Sequence, residues 1–146
     1  MQSSLNGRGP RVNELPAATE RVAQRLTDAI ESGDPNAIAA CCTDNVVVWH
    51  NYDNLEVGFD VVVPMLSTLV ARVPGVRYVD VRRYPIERGY VQQHVVRGDA
   101  PSGRLNLPAC MIVDVRDGLI ARIEEYLDRA AISVLRQPRQ IRDRAP

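Results

Sequence analysis

Between residues 76 and 127 the chain carries four strand-like segments divided by turns too short to hold another element. The segments run 76–86, 89–98, 104–115 and 118–127, and the dividers are Glu87-Arg88-Gly89, Asp99 to Gly103 and Arg116-Asp117-Gly118. Each divider sets glycine beside polar or charged residues, the chemistry of a hairpin turn. Short connections join antiparallel neighbours, because parallel neighbours need a crossover of about a dozen residues or more. The second half of the chain therefore predicts an antiparallel meander.

The first half reads mostly as helix. Val22, Leu26, Ala29 and Ile30 recur at helical spacing within 16–32, and Gly33 stops that helix. Asp34-Pro35 is a fresh start signal, a capping side chain followed by proline, and predicts a short helix over 35–42. Residues 46–51 are β-branched and aromatic, hence a strand. A polar loop to Gly58 precedes a helix over 59–73, with Met65, Leu66, Leu69 and Val70 on its buried side. Pro64 either kinks that helix or marks its first turn. Residues 129–136 add a last helical turn or two. The expected class is α+β: a cone-like, strongly bent antiparallel sheet with three helices, from the N-terminal half, closing an apolar pocket on its concave side.

A chain of 146 residues is most simply one domain, expected here over 15–136. The stretches 1–14 and 137–146 are polar and proline-containing, and are expected to be mobile tails. Eighteen basic and eighteen acidic residues cancel, which disfavours nucleic acid as a partner. No apolar run approaches a membrane span. The opening MQSSLNGRGPRVNELP lacks the apolar core of a secretory signal, so a cytoplasmic protein is expected. Cys41, Cys42 and Cys110 fit no zinc spacing and read as small buried side chains. No phosphate loop, dinucleotide fingerprint or nucleophile elbow is present, and no cofactor or metal is expected.

The candidate chemistry lies on the last strand. Alternation sets Ala121, Ile123, Glu125 and Leu127 on one side, and Arg122, Glu124 and Tyr126 on the other. Arg122 and Glu124 belong in water, so Glu125 faces inward. An inward carboxylate is costly to bury, and reads as a general acid or base, or as an edge carboxylate paired with arginine. On 89–98, Tyr90, Gln92, His94 and Val96 share a side; on 104–115, Leu107, Ala109, Met111 and Val113 do. On the first strand Trp49 shares a side with Val47 and Asn51, opposite Val48 and His50. Glu125 and His94 are the candidate catalytic pair, because imidazole titrates near neutrality. Trp49, Asn51, Gln92, Leu107, Ala109, Met111 and Ile123 are candidate substrate-binding residues. His50 reads as structural or exposed, and Tyr126 as packing on the outer side.

Asp34 to Asn51, D-x-x-A-I-A-A-C-C-T-D-N-V-V-V-W-H-N, and Val115 to Asp128, V-R-D-G-L-I-A-R-I-E-E-Y-L-D, together with the element order, resemble the nuclear transport factor 2 fold superfamily in its SnoaL-like and limonene-epoxide-hydrolase-like branch. The resemblance implies a cone-shaped sheet around an apolar cavity, often in a homodimer packed through the outer sheet face. Epoxide hydrolases of this type use an Asp-Arg-Asp set with a Tyr and an Asn holding water. Asn51 matches the Asn, Trp49 stands at the Tyr position, and Glu125 at the final-strand Asp. The Arg and first Asp fall near His94 and Val96, so that set is not intact. SnoaL-like cyclases place a carboxylate on the last strand and a histidine on a neighbouring one, which suits Glu125 and His94. The resemblance implies a cofactor-independent acid–base enzyme of cyclase, isomerase or dehydratase type, acting on a small apolar carbonyl or polycyclic compound. A non-catalytic ligand-binding or dimerisation module and an epoxide hydrolase with an altered water-activating set are the alternatives.

Overall fold

The computed structural model describes residues 14–135. The two expected tails fall outside this range, apart from Glu14. Helix α1 (Ala17–Ser32) buries Val22, Ala23, Leu26, Ala29 and Ile30 along one stripe, the spacing that lays one face of a helix on a sheet. Gly33 ends it in the left-handed region at φ 68°, returning its N–H to Ile30 O. A side chain at Gly33 would meet Val70 Cγ1 at 2.8 Å, so glycine also lets the elbow approach α3. Helix α2 (Pro35–Ala40) starts where Asp34 Oδ1 accepts from Asn36 N at 2.9 Å. Helix α3 (Phe59–Arg72) runs on through Pro64 and turns Val62 and Val63 inward.

The strands are β1 (Cys42–His50), β2 (Glu56–Val57), β3 (Arg77–Ile86), β4 (Gly89–Ala100), β5 (Gly103–Arg116) and β6 (Leu119–Leu127), followed by a 3₁₀ segment, Arg129–Leu135. They form one sheet in the order β2-β1-β6-β5-β4-β3. The meander β3 to β6 is antiparallel throughout, as its turns require. The sheet as a whole is mixed, which corrects the all-antiparallel expectation: β1 pairs with β6 in parallel. The chain reaches β6 from β1 only by way of α3 and the whole meander, a crossover long enough for parallel pairing. The polar loop after β1 also contributes β2, a two-residue edge strand absent from the sequence reading.

Two bulges change which residues face inward. In β3 the register shifts between Val79 and Arg82, and Asp80 sits at φ 53°. The shift brings both Tyr78 and Arg83 to the helix side, although they are an odd number of residues apart. Between β5 and β6 the register shifts beyond Asp114, pairing Asp114 with Arg122 and Val115 with Ile120. Ile120 and Ile123 are therefore both buried, while Ala121, expected on the inner row, is the extra residue.

The core divides into two clusters. One sets α1, with Val22, Leu26 and Ile30, against Val46, Val48, Val113 and Ile120 of the sheet. The other gathers Val73, Val76, Val96, Leu105 and Leu107, with Leu69 of α3 and Ile132 packed on it. The cavity opens beside the second cluster, between α3, the 3₁₀ segment and the inner face of the sheet.

Candidate functional site

The register lays one row of side chains across the inner face. His50 pairs with Glu125, Glu125 with Met111, Met111 with Gln92, and Gln92 with Arg83. Four of the five are polar, and Met111, 4% exposed, divides them into two pairs.

The first pair opens on a cavity of about 310 Å³, at the small end of ligand-pocket sizes. Its floor and walls include Val96, Leu105, Leu107 and Leu127 from the sheet, with Leu66 and Leu69 from α3. His50, Tyr52, Tyr78 and Glu125 bring polar atoms to it. His50 Nε2 stands 3.5 Å from Glu125 Oε2, with the imidazole buried and the carboxylate one-fifth exposed. That separation is long for a hydrogen bond but closes with a small rotation, as contacts in unliganded sites commonly do. Tyr52 stacks on the other face of this arrangement, its ring 5.1 Å from that of His50. Burial, Asp53 and Glu125 raise the Tyr52 pKa, against an opposing pull from Arg129.

The second pair belongs to a hydrogen-bonded network anchored on α1. Arg83 Nε donates to Gln92 Oε1 at 2.8 Å, and the rest of the guanidinium meets Glu20, Gln24 and Thr27 of α1. Since arginine only donates, the Gln92 oxygen must face it, which turns the Gln92 amide nitrogen to His94 Nδ1 at 3.1 Å. That nitrogen also only donates, so Nδ1 accepts and the His94 proton resides on Nε2. His94 is 3% exposed, and its Nε2 finds no hydrogen-bond partner among the described residues. Burial lowers the His94 pKa from 6.5; Glu125 opposes this and Arg83 adds to it. His94 stacks on Tyr78, with centroids 4.4 Å apart and planes 12° from parallel. Tyr78 forms the cavity wall there. Its phenol is held protonated by burial first, then by Glu125 and Glu31.

Among the candidate site residues, Glu125 and Leu107 reach the cavity. The imidazole that meets Glu125 is that of His50; His94 lies two strands away, about 10 Å at the usual strand spacing. Gln92 is fully buried in the network above. Met111 and Ile123 pack into the first core cluster, and Ala109, also buried, lies opposite His94. Trp49 points to the outer face, where its ring meets Tyr126 edge-on at 5.3 Å and its Nε1 donates to Asn54 Oδ1 at 2.9 Å. Asn51 Oδ1 accepts from Leu127 N at 3.0 Å, tying the end of β1 to β6. Trp49, Asn51, Gln92, Ala109, Met111 and Ile123 do not line this cavity.

The sequence reading took His50 as structural or exposed and passed over Tyr52, Tyr78, Arg72 and Arg129. The signal for His50 was present: Val46, Val48 and His50 alternate on the buried side. Val47 and Trp49 are equally apolar on the other side, so alternation alone could not choose between the faces. Among the described residues, no three His, Cys, Asp or Glu side chains gather to hold a metal ion. Burial raises the Cys42 pKa to about 11, helped by Cys41, which leaves that thiol a poor nucleophile near neutral pH. No helix among the described residues is long and apolar enough to cross a membrane.

Residues 23–123 match the SnoaL-like domain family. No curated protein matches the sequence. Among solved structures, the chain is similar to BvnE pinacolase from Penicillium brevicompactum, at 13% identity and a TM-score of 0.70 over 82% of this chain and 92% of the other. It is similar to an LEH-like epoxide hydrolase of M. tuberculosis, at 18% identity and a TM-score of 0.65 over 81% and 89%. A candidate polyketide cyclase from Xanthomonas campestris is similar at 19% identity and a TM-score of 0.67 over 81% and 96%. Likeness at these identities establishes the fold, whose members differ in chemistry.

Proposed function

Since the chain belongs to the SnoaL-like domain family, we propose that it is a cofactor-independent acid–base enzyme acting on a small, largely apolar carbonyl compound. The observation that carries this reading is Glu125, which opens on an apolar cavity with His50 Nε2 at 3.5 Å. Glu125 takes a proton from carbon beside the carbonyl, or returns one. His50, with Nε2 3.5 Å from Oε2, holds the carboxylate in position. Tyr78, whose phenol stays protonated, donates to the carbonyl oxygen as negative charge develops there. His94 acts as a positioning residue, backing the Tyr78 ring. Solved structures of the same fold include a pinacolase, an LEH-like epoxide hydrolase and a candidate polyketide cyclase, so the fold is one that hosts enzymes.

Glu125→Gln keeps the shape and removes the proton carrier. Turnover of a substrate accepted by the wild type should fall roughly 10²- to 10⁴-fold with little change in KM. An unchanged kcat would remove Glu125 from the chemistry. The epoxide-hydrolase alternative gains nothing from this geometry, because Asn51 is occupied by Leu127 N and Trp49 faces outward.

The outer sheet face favours a second copy as partner. Val47, Val91, Val95 and Ile112 are only half-buried there, and Tyr126 is 44% exposed. Half-buried apolar side chains on an open sheet face, set between the charged Arg122 and Glu124, suit association with a second copy. Sedimentation should give a dimer for the wild type and a monomer for Tyr126→Arg; a wild-type monomer at high concentration would refute the dimer.

A further inference from the structure

The mouth of the cavity carries two exposed guanidiniums, Arg72 at the end of α3 and Arg129 at the start of the 3₁₀ segment. Six other arginines, Arg77, Arg83, Arg88, Arg97, Arg104 and Arg122, each meet a carboxylate. Arg72 and Arg129 meet none among the described residues, and of the arginines without a carboxylate, which also include Arg21, Arg25, Arg82 and Arg116, they are the two that line this cavity. Asp128, beside Arg129 in the chain, and Asp53, beside Tyr52, each turn an oxygen to backbone: Asp128 Oδ1 accepts from Ala130 N at 2.9 Å, and Asp53 Oδ1 from Leu55 N at 3.0 Å.

Arg129 is nonetheless held in place. Its guanidinium carbon lies 5.2 Å from the centroid of the Tyr52 ring, a cation–π contact that occupies one face of the guanidinium and leaves its N–H edges free. Tyr52 stacks in turn on His50, which faces Glu125. A single column thus runs from the rim to the acid–base pair, Arg129 to Tyr52 to His50 to Glu125. Beneath the rim the walls are apolar, and Leu105, Leu107 and Val96 at the floor are almost fully buried. Unpaired cations above a chamber lined mostly by apolar side chains select a ligand with an apolar body and one anionic end.

We propose that the pocket takes an organic carboxylate, its anionic end held at the rim by Arg129 and Arg72 and its apolar body lying against Leu105 and Leu107. This deepens the function proposed above and rests on the same cavity being the substrate site. Bound that way, the substrate offers Glu125 a carbon part-way along its length rather than at its charged end. Carboxylate at the rim also stays clear of the Glu125 carboxylate, which would repel it at depth.

The test is calorimetric binding of naphthoate against naphthamide, a pair matched in shape and differing in charge. Wild-type protein should prefer the acid by roughly tenfold or more, the usual gain from a charge-assisted hydrogen bond, and added salt should narrow the gap. Arg72→Gln and Arg129→Gln should each erode the preference, and the double variant should abolish it while leaving naphthamide affinity unchanged. Equal affinities in the wild type, failure of both probes to bind, or a preference that survives the double variant would each overturn the proposal. Glu125→Gln should not raise naphthoate affinity; a several-fold rise would place the anion at depth and overturn the rim assignment. The readout is binding, so loss of Glu125 chemistry and loss of anion recognition appear separately.

Discussion

The inner face of the sheet holds two polar pairs in one register row, and they have opposite characters. His50 and Glu125 stand at the cavity, in contact at 3.5 Å, with the carboxylate partly exposed. Gln92 and Arg83 lie on the far side of Met111, wired to α1 and to His94 by hydrogen bonds. A network in which nearly every donor and acceptor is engaged specifies one arrangement and resists change. A loosely engaged pair beside a ligand-sized space can move a proton and rotate. Burial alone therefore does not identify the reactive histidine: both histidines are buried, and what separates them is access to the cavity.

The contrast breaks most readily at His50. His50→Gln should lower kcat roughly tenfold to hundredfold, with the melting temperature little changed. His94→Gln should affect kcat less and stability more. The reverse ranking in a paired kinetic and thermal comparison would exchange the roles of the two histidines. A smaller effect is expected at Gln92. Gln92→Leu strands Arg83 Nε and frees His94 Nδ1, so urea unfolding should register a loss of about 2 kcal/mol. The ¹⁵N shifts of His94 should show loss of the pure Nε2–H tautomer; an unaltered tautomer would mean that Gln92 does not set it.

The smallest effect is a pH dependence. Burial holds the folded-state pKa of His94 below 6.5, the value to which the unfolded chain returns. Between those two pKa values the unfolded state binds more protons, so stability falls as pH drops below 6.5 toward the folded value, and is unaffected above it. His94→Gln should flatten that part of the stability curve relative to wild type. An identical slope in both proteins would mean that His94 does not titrate differently on folding.

Much of this was legible in residue order. Gly33, Asp34-Pro35 and the glycine turns placed the elements within a few residues of where they occur, since caps and turns act through local backbone chemistry. Glu125 was recognisable as inward-facing because Arg122 and Glu124 claim the other side; Arg122 indeed pairs there with Glu56 and Glu124. The inward position of Arg83 was not legible, because a bulge at Asp80 reverses the parity on which alternation depends. Trp49 misled for a related reason: both faces of β1 are apolar, one against the helices and the other along the outer strip.

The sequence by itself determined the element order, the antiparallel meander, the α+β class and the presence of an inward carboxylate on the last strand. Each follows from interactions over a few residues: turn geometry, capping and period-two alternation. Only the tertiary structure decided which imidazole that carboxylate meets. Alternation assigns a side chain to a face but carries no information about neighbouring strands. The parallel closure of β1 on β6, fastened by contacts such as that of Asn51 with Leu127 across 76 residues, is set by packing the whole helical layer against the sheet. It placed His50 beside Glu125 and left His94 two strands away.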